Sequence, residues 1–421
     1  MTTEWARFRK YTRRMRELSE LGTPDFLSPE VFSVLQLCAI NEPFLPNLKT
    51  LDLLEIREPF ILFIPLLLSP GTTAISLEFK SDLPKVMVAS TVSSLPKLCP
   101  ELQAIHLFHP SEDPMIAAAV SEMLLATNRN ILQMVHVEFP VTEEAGEMIF
   151  KLSGLRSLLV VIEGETSLPS ASLPNLTKLG IGCDNEGGWP QLFHDATFGK
   201  LESVVFFPES EEIGDFLGAF ERVALSSSVQ NTLLEFHLYT SCSWHPNYSS
   251  LLPFTQLVEL HIEFSCDGGC TSRVDDDIII NLSRAMPKLQ YLRLGEPCRE
   301  FTTGVTAKGL VALALHCPNL SSLCVHFQVD SLIAPPASPG ITSNPEPTGS
   351  WTDCALTELW VGEIPVPEES VLMVTLTLLR IFPRIQIIYS DNEGWDEVEG
   401  AIRLSKRIVD CSSKQFSLIK R

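Results

Sequence analysis

The chain has 421 residues, 45% of them hydrophobic, and carries 52 acidic against 31 basic side chains for a net charge of −21. Such a charge repels nucleic-acid phosphates and anionic lipid, so neither nucleic acid nor membrane is expected as a partner. The longest apolar run, Phe60 to Leu68, falls well short of the roughly 20 residues a helix needs to cross a bilayer. The chain also opens on polar and basic residues rather than on an apolar signal segment, so a cytoplasmic or nuclear address is expected.

The first segment runs against the overall charge. Six basic residues lie between Arg7 and Arg16, and Trp5, Phe8, Thr12, Met15 and Leu18 fall along one helical face. The spacing predicts a helix that covers the exposed end of a repeat core, with residues 1–44 forming an N-terminal helical cap.

From there one phrase recurs, apolar-x-x-apolar-x-apolar, often with proline two residues before its first apolar position. Examples are Pro46-Asn47-Leu48-Lys49-Thr50-Leu51-Asp52-Leu53 and Pro318-Asn319-Leu320-Ser321-Ser322-Leu323-Cys324-Val325. First positions fall at Leu48, Thr72, Leu102, Leu132, Leu155, Leu176, Leu201, Leu233, Leu257, Leu289, Leu320, Leu356 and Ile385, spaced 21 to 36 residues apart. This is the strand of a leucine-rich repeat, with the copies at Thr72 and Ile385 the weakest. Between phrases, Met115 to Ala126 and Asp277 to Met286 read as helices. The expected fold is therefore an α/β leucine-rich-repeat solenoid, a horseshoe of about 13 irregular repeats with an N-terminal capping helix. The solenoid spans 45–421, with an insertion expected to be disordered at 328–353, where five prolines interrupt the pattern.

Acidic clusters such as Asp275 to Asp277 suit helix starts, where the dipole favours carboxylates. Cys99 and Cys317, each just before proline, read as reduced core thiols. Cys242, His245, Cys266 and Cys270 could converge on zinc, but their spacing is not a standard zinc pattern, and no metal or other cofactor is expected. Phosphate-cradling, nucleophile-elbow and metalloprotease motifs are all absent, so no catalytic residues are assigned and the chain is not read as an enzyme.

Binding is the expected role. First, fourth and sixth positions of each phrase point into the core, while third, fifth and seventh point onto the concave sheet. Those outward positions carry His106, His136, His237, Tyr239, His261, Glu263, Tyr291, Arg293, His326 and Trp360, a candidate face for a protein partner on a monomeric chain.

The stretch Gly304-Val305-Thr306-Ala307-Lys308-Gly309-Leu310, running on to Cys317-Pro318-Asn319-Leu320-Ser321-Ser322-Leu323, resembles the cysteine-containing repeat of F-box proteins. Cys99-Pro100-Glu101-Leu102 is similar at the same junction. The opening, Trp5 to Leu18 and on to Leu51, looks like the segment following the F-box in fungal F-box/leucine-rich-repeat proteins. The resemblance implies recruitment of a substrate protein to a cullin-RING (SCF-type) ubiquitin ligase. No F-box is seen before Trp5, so contact with a Skp-type adaptor and cullin is expected only if an F-box lies upstream. The alternative is a stand-alone repeat scaffold or inhibitor.

Overall fold

The computed structural model describes residues 2–20, 31, 34, 43–58, 60–109, 113–162, 172–183, 197–208, 216–226, 228–241, 247–265, 274–295, 304–333, 354–362, 364–390 and 392–419. They form two compact units. The first comprises Met1–Leu201 with Phe207–Glu209, and the second Glu202–Phe206 with Ser210–Arg421.

In the first unit the strands are β1 (Glu17–Glu20), β2 (Thr50–Ile56), β3 (Ala74–Phe79), β4 (Ala104–Phe108), β5 (Met134–Val141), β6 (Ser157–Ile162), β7 (Ser172–Leu173), β8 (Lys178–Cys183) and β9 (Thr197–Phe198). Parallel pairing runs β1-β2-β3-β4-β5-β6-β8, with β7 and β9 forming a small separate sheet. In the second unit the strands are β10 (Ser203–Pro208), of which Ser203–Phe206 belong here, β11 (Glu235–Ser241), β12 (Glu259–Ser265), β13 (Tyr291–Leu294), β14 (Ser322–Val325), β15 (Glu358–Gly362) and β16 (Ile387–Ser390). They too are parallel, in chain order.

Each of the thirteen phrases has a strand that begins at its third position, from Thr50 after Leu48 to Ile387 after Ile385. Every first-position residue is buried, Leu48, Thr72, Leu257 and Ile385 all at 0% exposure. At about 2 kcal/mol for each buried leucine-sized side chain, the phrase is the principal stabilising element of both units. One repeat cannot bury these residues alone, so the parallel ladder follows from stacking.

The proline has a geometric role. In Cys99-Pro100-Glu101-Leu102 the Leu102 N–H donates to the Cys99 carbonyl at 3.2 Å, and Leu320 does the same to Cys317 at 3.1 Å. Proline thus occupies the second place of a turn, where its fixed φ is already correct. The carbonyl of the residue after a first position commonly accepts two N–H groups from the next repeat, as Gln103 O does from Gln133 and Met134 at 2.8 and 3.0 Å. The irregular copy at Thr72 compensates with polarity: its buried hydroxyl donates to Leu48 O at 3.2 Å and accepts from Ser69 N.

Helices back the sheet in both units, among them Lys85–Leu98, Pro114–Ala126 and Glu143–Phe150 in the first and Asp276–Ala285, Ala307–His316 and Val371–Ile381 in the second. The acidic cluster sits where its charge predicts, with Asp275 capping the helix that follows by accepting from Ile278 N at 2.9 Å. Its neighbour Asp276 reaches the next repeat. Its carboxylate accepts from Thr306 N, Thr306 Oγ1 and Gly309 N at 2.8, 2.6 and 2.9 Å, tying one helix start to another. A side chain at Gly309 would place its Cβ 2.6 Å from Asp276 Oδ1, so glycine makes room for the carboxylate.

At the N-terminus the helix spans Thr2–Thr12, and β1 follows it, adding Leu18 to the sheet opposite Leu51. At the other end the helix Glu393–Ile419 buries Trp395, Val398 and Ile402. Its Glu399 carboxylate accepts from Ile388 N of β16 at 2.7 Å, and the Lys406 ammonium donates to Ile385 O. An edge strand offers unpaired backbone groups to other chains, and these side chains occupy some of them.

Of the insertion, Gln328–Ile333 are ordered: Gln328 N bonds Val305 O at 2.9 Å and Asp330–Ile333 form a helical turn. The remainder, 334–353, lies outside the described residues. Among the described residues no helix is long and apolar enough to cross a membrane.

Candidate functional site

Period-two alternation sends third- and fifth-position side chains to the sheet face turned away from the core. Parallel register then aligns like positions of successive repeats in rows, one strand spacing of about 4.8 Å apart.

In the first unit one row contains Ser76, His106, His136 and Leu159. Ser76 Oγ shares a hydrogen bond with His106 Nδ1 at 3.2 Å, and His136 Nε2 shares one with Ser157 Oγ of the adjoining row at 2.7 Å. The two imidazoles meet edge to face, centroids 5.8 Å apart. Burial, reinforced by His106 and Lys178, pushes the His136 ring down to about 4. It is therefore neutral at physiological pH, a hydrogen-bonding group rather than a cation.

In the second unit the fifth-position row reads His237, His261, Arg293, Cys324, Trp360 and Tyr389. His237 Nε2 lies 3.3 Å from Glu259 Oε1, and His261 Nε2 lies 2.9 Å from Glu263 Oε2, which Arg293 Nη2 approaches at 3.7 Å. Tyr239 packs on the His261 ring at 5.2 Å. Burial lowers His261 despite its bond to Glu263, and burial followed by the Glu263 charge raises the Tyr239 phenol. Trp360 stacks on Tyr389 at 3.9 Å and 22°, both rings remaining well exposed. The adjoining third-position row reads Glu235, Glu259, Tyr291, Ser322 and Glu358.

The structure thus places His106 and His136 together in the first unit, and His237, Tyr239, His261, Glu263, Tyr291, Arg293 and Trp360 on one face of the second. His326 is a correction. It was expected to face outward, but β14 ends at Val325, so strand alternation no longer applies, and the ring is buried at 8% exposure with its pKa pushed down to about 4. Cys324 just before it is buried as well, its thiol 3.7 Å from Gly295 O. Tyr389, which sequence reasoning did not assign to the face, joins through its stack on Trp360; its place two residues after the first strand residue of its repeat, Ile387, was the available signal.

Cys242, His245, Cys266 and Cys270 lie outside the described residues, and among the described ones no three His, Cys, Asp or Glu converge to hold a metal. The described thiols Cys99, Cys317, Cys324 and Cys354 are free and buried, and burial raises Cys99 to about 11 and Cys317 to about 12. Such thiols are poor nucleophiles and serve as small apolar side chains.

No protein-family profile matches the chain, and no curated protein does. Among solved structures, a crystal structure of PEPR1–AtPEP1 is similar over 90% of this chain and 48% of that one, at 15% identity and a TM-score of 0.35. The chain spans about half the length of that structure. Both units have the α/β leucine-rich-repeat fold, which follows from parallel register and from burial of the phrase positions.

Proposed function

We propose that this chain is a protein-binding module and that its partner seats on the outward sheet face of β11 to β16. The observation that carries the reading is that face's composition: Tyr291, Trp360 and Tyr389 expose large rings beside carboxylates, imidazoles and Arg293. Aromatic and arginine side chains dominate binding energy at protein interfaces, and rings held on strands lose little entropy on binding. Exposed rings gathered on one sheet face, rather than scattered singly, are a mark of interaction surfaces.

The finer reading is recruitment of the bound protein to a cullin-RING ubiquitin ligase in the cytoplasm or nucleus. It is supported by the likeness of Gly304 to Leu323 to the repeat of F-box proteins. The Asp276 carboxylate bonded to Thr306 and Gly309, and Cys317 buried behind its proline turn, give that stretch a structural reason.

The test is affinity purification of the chain tagged at its C-terminus at the native locus, with mass spectrometry of the captured proteins. The ligase reading expects a Skp-type adaptor and a cullin beside other captured proteins. A specific partner captured without ligase components would overturn recruitment and leave a free-standing scaffold or inhibitor. Capture that is unchanged when Tyr291 and Trp360 are both alanine would overturn the assigned face.

A further inference from the structure

On the outward face of the second unit, negative charge exceeds positive. The two adjoining rows and Glu263 supply four carboxylates, Glu235, Glu259, Glu263 and Glu358, against one guanidinium, Arg293, which already lies beside Glu263. The two histidines are already engaged: His261 has its pKa lowered by burial and bonds Glu263, and His237 lies 3.3 Å from Glu259 and packs on the His261 ring. Glu235 and Glu358 make no ion pair among the described residues. Glu235 and Glu358 thus stand half-buried without such a pair, Glu259 has a histidine rather than a fixed cation beside it, and a cationic ligand brought against these carboxylates is electrostatically favoured.

Aromatic rings alternate with these acids. In the third-position row Tyr291 follows Glu259, and Ser322 then Glu358 follow Tyr291; Trp360 stands two residues beyond Glu358 on the same face. Tyr291 is 47% exposed and Trp360 40%, so both rings are accessible to a ligand, Trp360 on a side other than the one stacked on Tyr389. A flat cation held between a carboxylate and such a ring gains from both, and arginine is best suited to it.

We propose that the occupant of this face is an extended, basic protein segment whose arginine or lysine side chains seat at Glu259 and Glu358 against Tyr291 and Trp360. This rests on the protein-binding reading above and names the chemistry of the partner. Register adds a spacing. Glu259 and Glu358 stand three strand steps apart, about 14 Å at 4.8 Å per step. An extended chain covers that in about four residues, so the two basic residues fall about four apart.

The test uses a phage-displayed library of random twelve-residue peptides selected on the purified full chain, followed by affinity measurement with synthetic versions of the winners. Selected peptides are expected to carry paired Arg or Lys about four residues apart. Replacing Glu259→Gln together with Glu358→Gln is expected to weaken them about tenfold. The same charge loss at Glu143→Gln with Glu144→Gln, on a helix start in the other unit, is expected to change nothing. Winners that lack basic residues, ignore the Glu259 and Glu358 changes, yet are lost in Trp360→Ala would overturn this proposal and leave the protein-binding reading standing. Equal weakening by both glutamine pairs would reduce the effect to overall charge and also overturn it. Winners indifferent to the glutamine changes and to Trp360→Ala alike would overturn both.

Discussion

The two units present the same geometry and different surfaces. In each, parallel strands begin at the third phrase position and bury the first, fourth and sixth, so the cores are interchangeable in kind. The outward rows are not. The first unit shows Ala74, Ala104, Met134 and Ser157 in one row, and in the next its imidazoles spend their hydrogen bonds on Ser76 and Ser157. The second shows Glu235, Glu259, Tyr291 and Glu358 beside the Trp360–Tyr389 stack. Repeat folds fix where a side chain points and leave its identity free, so the outward positions are where the two units differ.

The comparison breaks first if the cores are not equivalent. Ile105→Ala in the first unit and Leu260→Ala in the second, both fully buried, should each cost about 2–5 kcal/mol in denaturant unfolding. A negligible cost in either unit would mean that its repeats are not packed as described.

Next in size is the link between helix starts. Asp276→Ala removes the acceptor for three donors and should destabilise the second unit by about 2–3 kcal/mol. Gly309→Ala should do comparable harm by displacing the same carboxylate. Unfolding midpoints would read both, and a neutral Asp276→Ala would remove the link from the account.

The surfaces should separate more cleanly than the cores. Trp360→Ala is expected to weaken partner binding by about 2 kcal/mol with little change in stability, because the ring is exposed. His106→Ala, in the first unit, should leave binding unchanged. Equal losses from the two would erase the functional distinction between the faces.

Acid acts on both units through buried imidazoles. His136 and His326 have folded pKa values lowered from 6.5 to about 4. At neutral pH both states are uncharged. As pH falls below 6.5 the unfolded chain binds protons that the folded chain refuses, so stability is lost from about pH 6.5 down towards 4. Thermal melts at pH 7 and 5 should show the fall, and His136→Gln should flatten it for the first unit; an unchanged slope would mean that His136 is not sequestered.

The smallest expected signal comes from the thiols. Cys99 and Cys317, at about 11 and 12, should resist maleimide at pH 7 in the folded chain and label only on unfolding.

Much of this fold was legible because one constraint, burial of a thin slice per repeat, repeats itself thirteen times. Each copy of the phrase carries a strand, and even the weak copy at Thr72 holds because its hydroxyl finds Leu48 O inside the core. The ends were less legible. Leu18 alone carries the pattern in β1, too little to mark a strand, and the closing helix announces itself only through Trp395, Val398 and Ile402. Within the candidate face, alternation aligns the rows through parallel register, but Cys324 is buried although it stands at an outward position of β14, and His326 is buried just beyond the strand's end. Side-chain pairings, such as His261 with Glu263 along one strand or Arg293 with Glu263 and Trp360 on Tyr389 across strands, depend on rotamers that no periodicity encodes.

The most direct test replaces His237, His261, Tyr291 and Trp360 together with alanine and measures capture of the native partner by a variant whose melt and circular dichroism match those of the parent. Loss of capture is the predicted result. Undiminished capture by the folded variant would contradict the assignment of binding to this face.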